Sequence, residues 1–258
     1  MGHIRLGVLP KSRKWQQVVG LLRFGADINA VASAAALAAE KDLANASKDP
    51  LFHFVAKLLV ELPLAARSPG FSDYLSQLGL SDNILTSPAA FAAGISNAID
   101  DYAFATGQRS DLGEMAQMAF VENITRQLNR SLPGLFQPEP GEVRREIGKL
   151  SGGKEFAAFT RSFFASLTYK SLDYYLSREL ANHTGDGERF ETDKQRSAFE
   201  HALSSHAFEA SRIVEEYAGG WYGKNVWQNS NLTDETIQGF SSFAFKKIRK
   251  ELGRRREL

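Results

Sequence analysis

The chain has 258 residues, 43% hydrophobic and 24% charged, with a formal net charge of +1 and no cysteine. That length buries a sizeable core and the composition is that of a folded protein. Absent cysteine excludes a disulfide scaffold, a thiolate zinc site and a cysteine nucleophile. The near-neutral total conceals a segregation. Residues 1–23 carry Arg5, Lys11, Arg13, Lys14 and Arg23 and no acid, while residues 246–258 set seven basic residues against Glu251 and Glu257. Each end is therefore +5, and residues 24–245, with 19 basic and 28 acidic residues, carry −9. Two basic ends around an acidic body point to partners rather than to chemistry. No apolar leader opens the chain, and no run approaches the roughly 20 apolar residues of a membrane span. A cytoplasmic protein without membrane contact is expected.

Ile4, Leu6 and Val8 alternate with His3, Arg5 and Gly7, which predicts a short extended N-terminal arm over 1–10. Helical periodicity then takes over. Ser12 caps a helix with Trp15, Val18, Val19 and Leu22 on one face. Asp27 caps a second, rich in alanine and running to about Asn45. Pro50 opens a third with Leu51, Phe54, Val55, Leu58, Leu59 and Leu62, which Pro63 is expected to kink or end. A short helix follows from Ser72, and Ser87-Pro88 starts another that buries Phe91, Ile95, Ile99 and Tyr102. Asp111 and Glu114 have capping-box spacing ahead of Met115, Met118, Val121, Ile124 and Leu128.

Pro133, Gly134, Pro138, Pro140 and Gly141 form the one proline-rich break. Beyond it come a short helix over 142–150 and a long one over 154–181. Thr192 or Asp193 caps the next, with Phe199, Leu203, His206, Ala210, Ile213 and Tyr217 inward. Thr233 caps the last, with Ile237, Phe240, Ala244, Ile248 and Leu252 inward. The pattern predicts an all-α array of about nine or ten helices in one globular unit, without a parallel sheet to host a nucleotide. Its parts are the arm over 1–10, an N-terminal helical half over 11–132, a connection over 133–141, and a C-terminal half with a basic tail over 142–258. The two halves are expected to pack as one domain.

Several motifs imitate chemical sites. Gly148-Lys149-Leu150-Ser151-Gly152-Gly153-Lys154 has P-loop spacing, but Glu155 stands where magnesium needs Ser or Thr, and a helix precedes it. It reads as a glycine cap and an interhelical turn. The segment 182–193 places Asp186 fifth and Gly187 sixth, as in a calcium loop. It begins with Asn182 and ends in Asp193 instead of a bidentate Glu, so a polar loop accounts for it better. His201 and His206 lie about 140° apart around a helix and cannot share a metal; His206 reads as a core histidine. Asp100 and Asp101 point to different faces and are not an acid–base pair; with Tyr102, Arg109 and Asp111 nearby they could line an acidic pocket, but a solvated helix end accounts for them better. His53 has no partner within its own helix. No set of nucleophile, base and orienting group is legible, so no catalytic residue, metal or cofactor is assigned and the reading leans away from an enzyme.

The contact candidates are more specific. Trp221, Tyr222 and Trp227 fall in what reads as a glycine-rich aromatic loop over 219–227. The first reading is a glycine cap whose aromatics anchor the loop to the body; the functional reading is a partner contact or, beside Lys224, base stacking. Ile4, Leu6 and Val8 would augment a partner's sheet. Lys246, Lys247, Lys250, Arg254, Arg255 and Arg256 would meet an acidic partner or phosphates; complementing a helix dipole accounts comfortably for Lys246 to Lys250 and less well for the Arg254–Arg256 cluster. The expected function is a non-enzymatic helical subunit or adapter of a larger assembly, with a protein partner or self-association and no small-molecule substrate. One alternative is a nucleic-acid-binding accessory protein beside a nuclease, helicase or ATPase. Another is an unrecognised enzyme or metal-binding protein drawing on Asp100, Asp101, His206 or the 182–193 loop.

Overall fold

A computed structural model describes residues 12–39, 48–132, 138–228 and 232–254. The predicted arm with Ile4, Leu6 and Val8 lies outside the described residues, as do Arg255 and Arg256. In chain order the helices are α1 (Arg13–Arg23), α2 (Ile28–Ala38), α3 (Pro50–Arg67), α4 (Phe71–Gln77), α5 (Pro88–Thr106) and α6 (Asp111–Ser131). Then come α7 (Pro140–Lys149), α8 (Gly153–Asn182), α9 (Asp193–Ala210), α10 (Arg212–Tyr222) and α11 (Asp234–Arg254). A 3-10 turn, Asp82–Thr86, precedes α5, and a π-helical turn, Gly223–Gln228, extends α10. Among the described residues the one strand-like pairing is a single bridge between Thr184 and Phe190. The fold is all-α, as the periodicity predicts.

Local chemistry sets most helix starts. Ser12, Asp27, Asp49, Ser87, Ser110 and Thr192 each accept the backbone N–H three residues on, satisfying a donor that no helical carbonyl reaches. Three expectations are corrected. The helix that Asp27 caps ends at Ala38, short of Asn45. The cap of α6 is Ser110, whose hydroxyl takes the Gly113 N–H, so Asp111 sits inside the first turn where its charge meets the helix dipole. Pro63 neither ends nor interrupts α3, which continues to Arg67 with Pro63 buried. Buried Leu58, Leu59, Leu62 and Ala66 on either side outweigh the one backbone donor that proline removes.

Two compact units divide the chain, and the division does not fall at the proline-rich stretch. One comprises 1–45, 164–214 and 243–258; the other comprises 46–163 and 215–242, which holds both flanks of 133–141. In the first unit the small faces of Ala32, Ala35 and Ala36 let α1 and α9 pack against α2. Trp15 is buried there against Tyr175, with ring centroids 4.7 Å apart. Arg189 ties the loop before α9 to the end of α1: its guanidinium donates to the carbonyls of Leu22 and Ala26 and lies over Phe190 and Phe199.

In the second unit α3 packs against α4, α5, α6 and α7. Gly113 permits the approach of α6, since a Cβ there would stand 2.5 Å from the Leu51 side chain. An aromatic cluster joins α8, α10 and α11 within this unit: Phe156 stacks on Tyr222 at 3.9 Å and Trp221 on Phe240 at 4.2 Å.

Candidate functional site

The expected aromatic loop over 219–227 is helix instead, first α10 and then the π turn. Of its glycines, Gly219 serves close packing rather than a turn, while Gly220 and Gly223 face open space. A Cβ on Gly219 would lie 2.6 Å from the Gly153 carbonyl oxygen, so the bare Cα of Gly219 lets α10 reach the start of α8. That approach carries two of the three named aromatics inward. Tyr222 is fully buried, its hydroxyl donating to the Val60 carbonyl at 3.2 Å, and burial pushes its pKa up. Trp221 is half-buried against Phe240. Neither offers the open contact expected of it. Trp227 does: it is 54% exposed, and the Arg67 guanidinium lies 5.2 Å from its ring centroid. Arg67 is itself fixed by donating to the Ser151 hydroxyl at 3.3 Å.

The basic residues of α11 divide by helical angle. Ile237, Phe240, Ala244, Phe245, Ile248 and Leu252 are buried, which aims the remaining positions at solvent. Phe243, Lys246, Lys250 and Arg254 are exposed at spacings of three and four, a single helical face, with Lys247 beside them. The Lys247 ammonium lies 5.1 Å from the Phe243 ring centroid, so the cation and the exposed aromatic form one surface. Arg254 is 3.3 Å from Glu251, yet its side chain stays 64% exposed. Such a surface pair holds the guanidinium weakly, by a few tenths of a kcal/mol.

The other sequence candidates fall into place. Asp100, Asp101 and Arg109 are brought together, with Ala103, Phe104 and Gly107, around a hollow of about 440 Å³. Arg109 there pairs with Asp100 at 3.0 Å and Glu114 at 3.1 Å, while Tyr102 lies elsewhere, stacked on Phe54. His206 is buried and His201 exposed, on different faces of α9. Loop 182–193 closes on its own groups: the Gly185 N–H donates to the Phe190 carbonyl, the Phe190 N–H donates to the His183 carbonyl, and the Glu188 carboxylate lies 3.2 Å from His183 Nδ1. Gly152 and the residues before it form the turn between α7 and α8.

One cluster escaped sequence reasoning. His53, Lys57 and Glu61 recur at four-residue intervals on α3 and meet Asp234 of the first turn of α11. Lys57 Nζ is 3.0 Å from Asp234 Oδ1 and 3.8 Å from Glu61, and His53 Nε2 is 3.8 Å from Asp234. The hydrogen bond from Lys57 holds the Asp234 carboxyl below its usual range and raises Lys57 in turn; burial raises Glu61, against the pull of Lys57. The spacing on α3 was visible in the sequence, but Asp234 lies 177 residues from Lys57 and nothing local points to it. In the first unit, burial together with Asp173 and Glu200 pushes Tyr169 up to about 12.

Among the described residues no group of three His, Cys, Asp or Glu stands close enough to hold a metal, and no helix is long and apolar enough to cross a membrane. No family model, curated protein or solved structure matches the chain.

Proposed function

We propose that this chain is a helical adapter that engages an acidic protein surface through the outward face of α11. The observation that carries this reading is the alignment of Lys246, Lys250 and Arg254 with Phe243 on one exposed face. An aromatic beside cations suits a protein interface, where aromatic and arginine anchors dominate binding energy. The −9 carried by residues 24–245 disfavours a long polyanion, whose phosphates would reach past the basic face, and a compact acidic patch avoids that cost. Trp227 with Arg67 is the second contact assigned to the role. The nucleic-acid alternative would use the same cations, with Trp227 as its stacking residue.

Fluorescence anisotropy of the full chain with a labelled short polyglutamate of roughly six residues, as a mimic of a compact acidic patch, and with single- and double-stranded oligonucleotides separates the two. The expected result is salt-sensitive binding of polyglutamate, weakened about tenfold or more by the double variant Lys246→Glu, Lys250→Glu. Binding to the oligonucleotides should be weaker. An absence of polyglutamate binding in low salt, or tighter binding of the oligonucleotides, overturns the reading.

A further inference from the structure

The second unit holds a cavity of about 260 Å³ where α6 meets the first turns of α8. Arg126 and Arg130 enter it from α6, and Lys154, Phe159 and Ser162 from α8. We infer that this cavity binds a small phosphomonoester, through a site unrelated to the basic face of α11.

The charge comes first. Arg126 and Arg130 stand four residues apart, one above the other on the helix, and Lys154 faces them. The lone acid in the lining is Glu155, which leaves the cavity at +2. The Glu155 carboxylate turns toward Gly152, which has no Cβ to occupy that space. Among the described residues no carboxylate pairs with Arg130 or Lys154. Three like charges with a single acid among them still repel one another, and a dianion relieves that repulsion.

The site is also built. Asn123 lines the cavity and is 4% exposed. Its Nδ2 donates to the Ala119 carbonyl at 2.7 Å, which fixes the amide so that Oδ1 accepts from Arg126 Nη1 at 3.4 Å. A buried amide thus aims an exposed guanidinium, and Asn123 is a positioning residue. A guanidinium fork fits either anion, but two forks and an ammonium offer more donors and charge than one carboxylate's two oxygens use, and a phosphomonoester presents three oxygens and a second charge.

Size narrows the class. The volume equals about nine waters at ~30 Å³ each, room for a phosphate and a three-carbon body. Leu150, Ala158 and Phe159 supply the apolar wall for that body, and Gln127 and Ser162 can bond its hydroxyls. Leu150 and Lys154 come from the stretch that imitates a P-loop, but here the anion would meet side chains rather than a cradle of backbone amides.

Isothermal titration of the full chain with glycerol 3-phosphate tests this, with acetate and a short oligonucleotide as comparison ligands. Expected are millimolar or tighter binding, a rise in Kd of about tenfold in Arg130→Gln and in Lys154→Gln, and tighter binding in Glu155→Gln. Far-UV circular dichroism checks that each variant is folded. The Lys246→Glu, Lys250→Glu variant should bind glycerol phosphate as the parent does, so this site stands or falls apart from the adapter reading. The inference is overturned if glycerol phosphate produces no heat, if acetate binds equally well, or if Arg130→Gln and Lys154→Gln leave binding unchanged. Tighter oligonucleotide binding that Arg130→Gln abolishes overturns it as well, by reassigning the cavity to a nucleic-acid backbone.

Discussion

Tyr222 and Trp227 belong to one aromatic run and end in opposite surroundings. Tyr222 is fully buried and hydrogen-bonded to Val60, whereas Trp227 is 54% exposed and touched by a guanidinium. Phe240 and Phe243 of α11 repeat the contrast three residues apart, at 3% and 43% exposure. Both members of each pair are aromatic, and angle around the helix decides between core and contact. The difference teaches that an aromatic-rich stretch here is two things at once, an anchor and an offered surface.

Breaking the anchor should cost most. Phe156→Ala empties the stack against Tyr222 and should destabilise by about 3–5 kcal/mol in urea unfolding, while Trp227→Ala should cost under about 1 kcal/mol. Equal losses would erase the distinction. Gly219→Ala drives a methyl toward the Gly153 carbonyl and should cost about 1–3 kcal/mol, visible as a lower Tm. Tyr222→Phe keeps the ring and removes one hydrogen bond, for about 1 kcal/mol.

The Lys57 cluster sharpens the comparison through pH. Glu61 has a raised pKa in the folded chain, so its contribution is intact below the ordinary value near ~4.3 and is lost as pH rises through the folded one. Asp234 has a depressed pKa, so its contribution holds above ~3.9 and is lost as pH falls through the folded value. Glu61→Gln should therefore gain on the parent as pH is raised from about 4 to 7, and Asp234→Asn should lose its deficit as pH falls below about 4, both read by urea midpoints. Smallest of all, the Lys246→Glu, Lys250→Glu variant should change stability by under about 0.5 kcal/mol, because both side chains face water.

Much of the fold was legible because its signals are local. Ser12, Asp27, Ser87 and Thr192 act three residues away, within the reach of any reading of spacing. The basic face of α11 followed from the same periodicity that buries Ile248 and Leu252. The features that escaped depend on distant partners. Gly219 resembles a turn residue until Gly153 is known to lie against it, and Pro63 resembles a helix stop until the packing around α3 is known. Asp234 acts on Lys57 across 177 residues, and the charge of the cavity needs α6 and α8 side by side. Trp221, Tyr222 and Trp227 were chosen together by composition, and tertiary contacts left Trp227 alone exposed among them.

A π turn holds more residues per revolution than an α-helix, so Gly223–Gln228 unwinds the chain and rotates its later residues backward about the axis. Deleting Lys224 would wind the segment back to an α-helix, and the larger rotation per residue would make up for the lost one, so the Trp227 indole would keep about its present bearing. The wider turn thus takes up one extra residue without turning the tryptophan away from solvent.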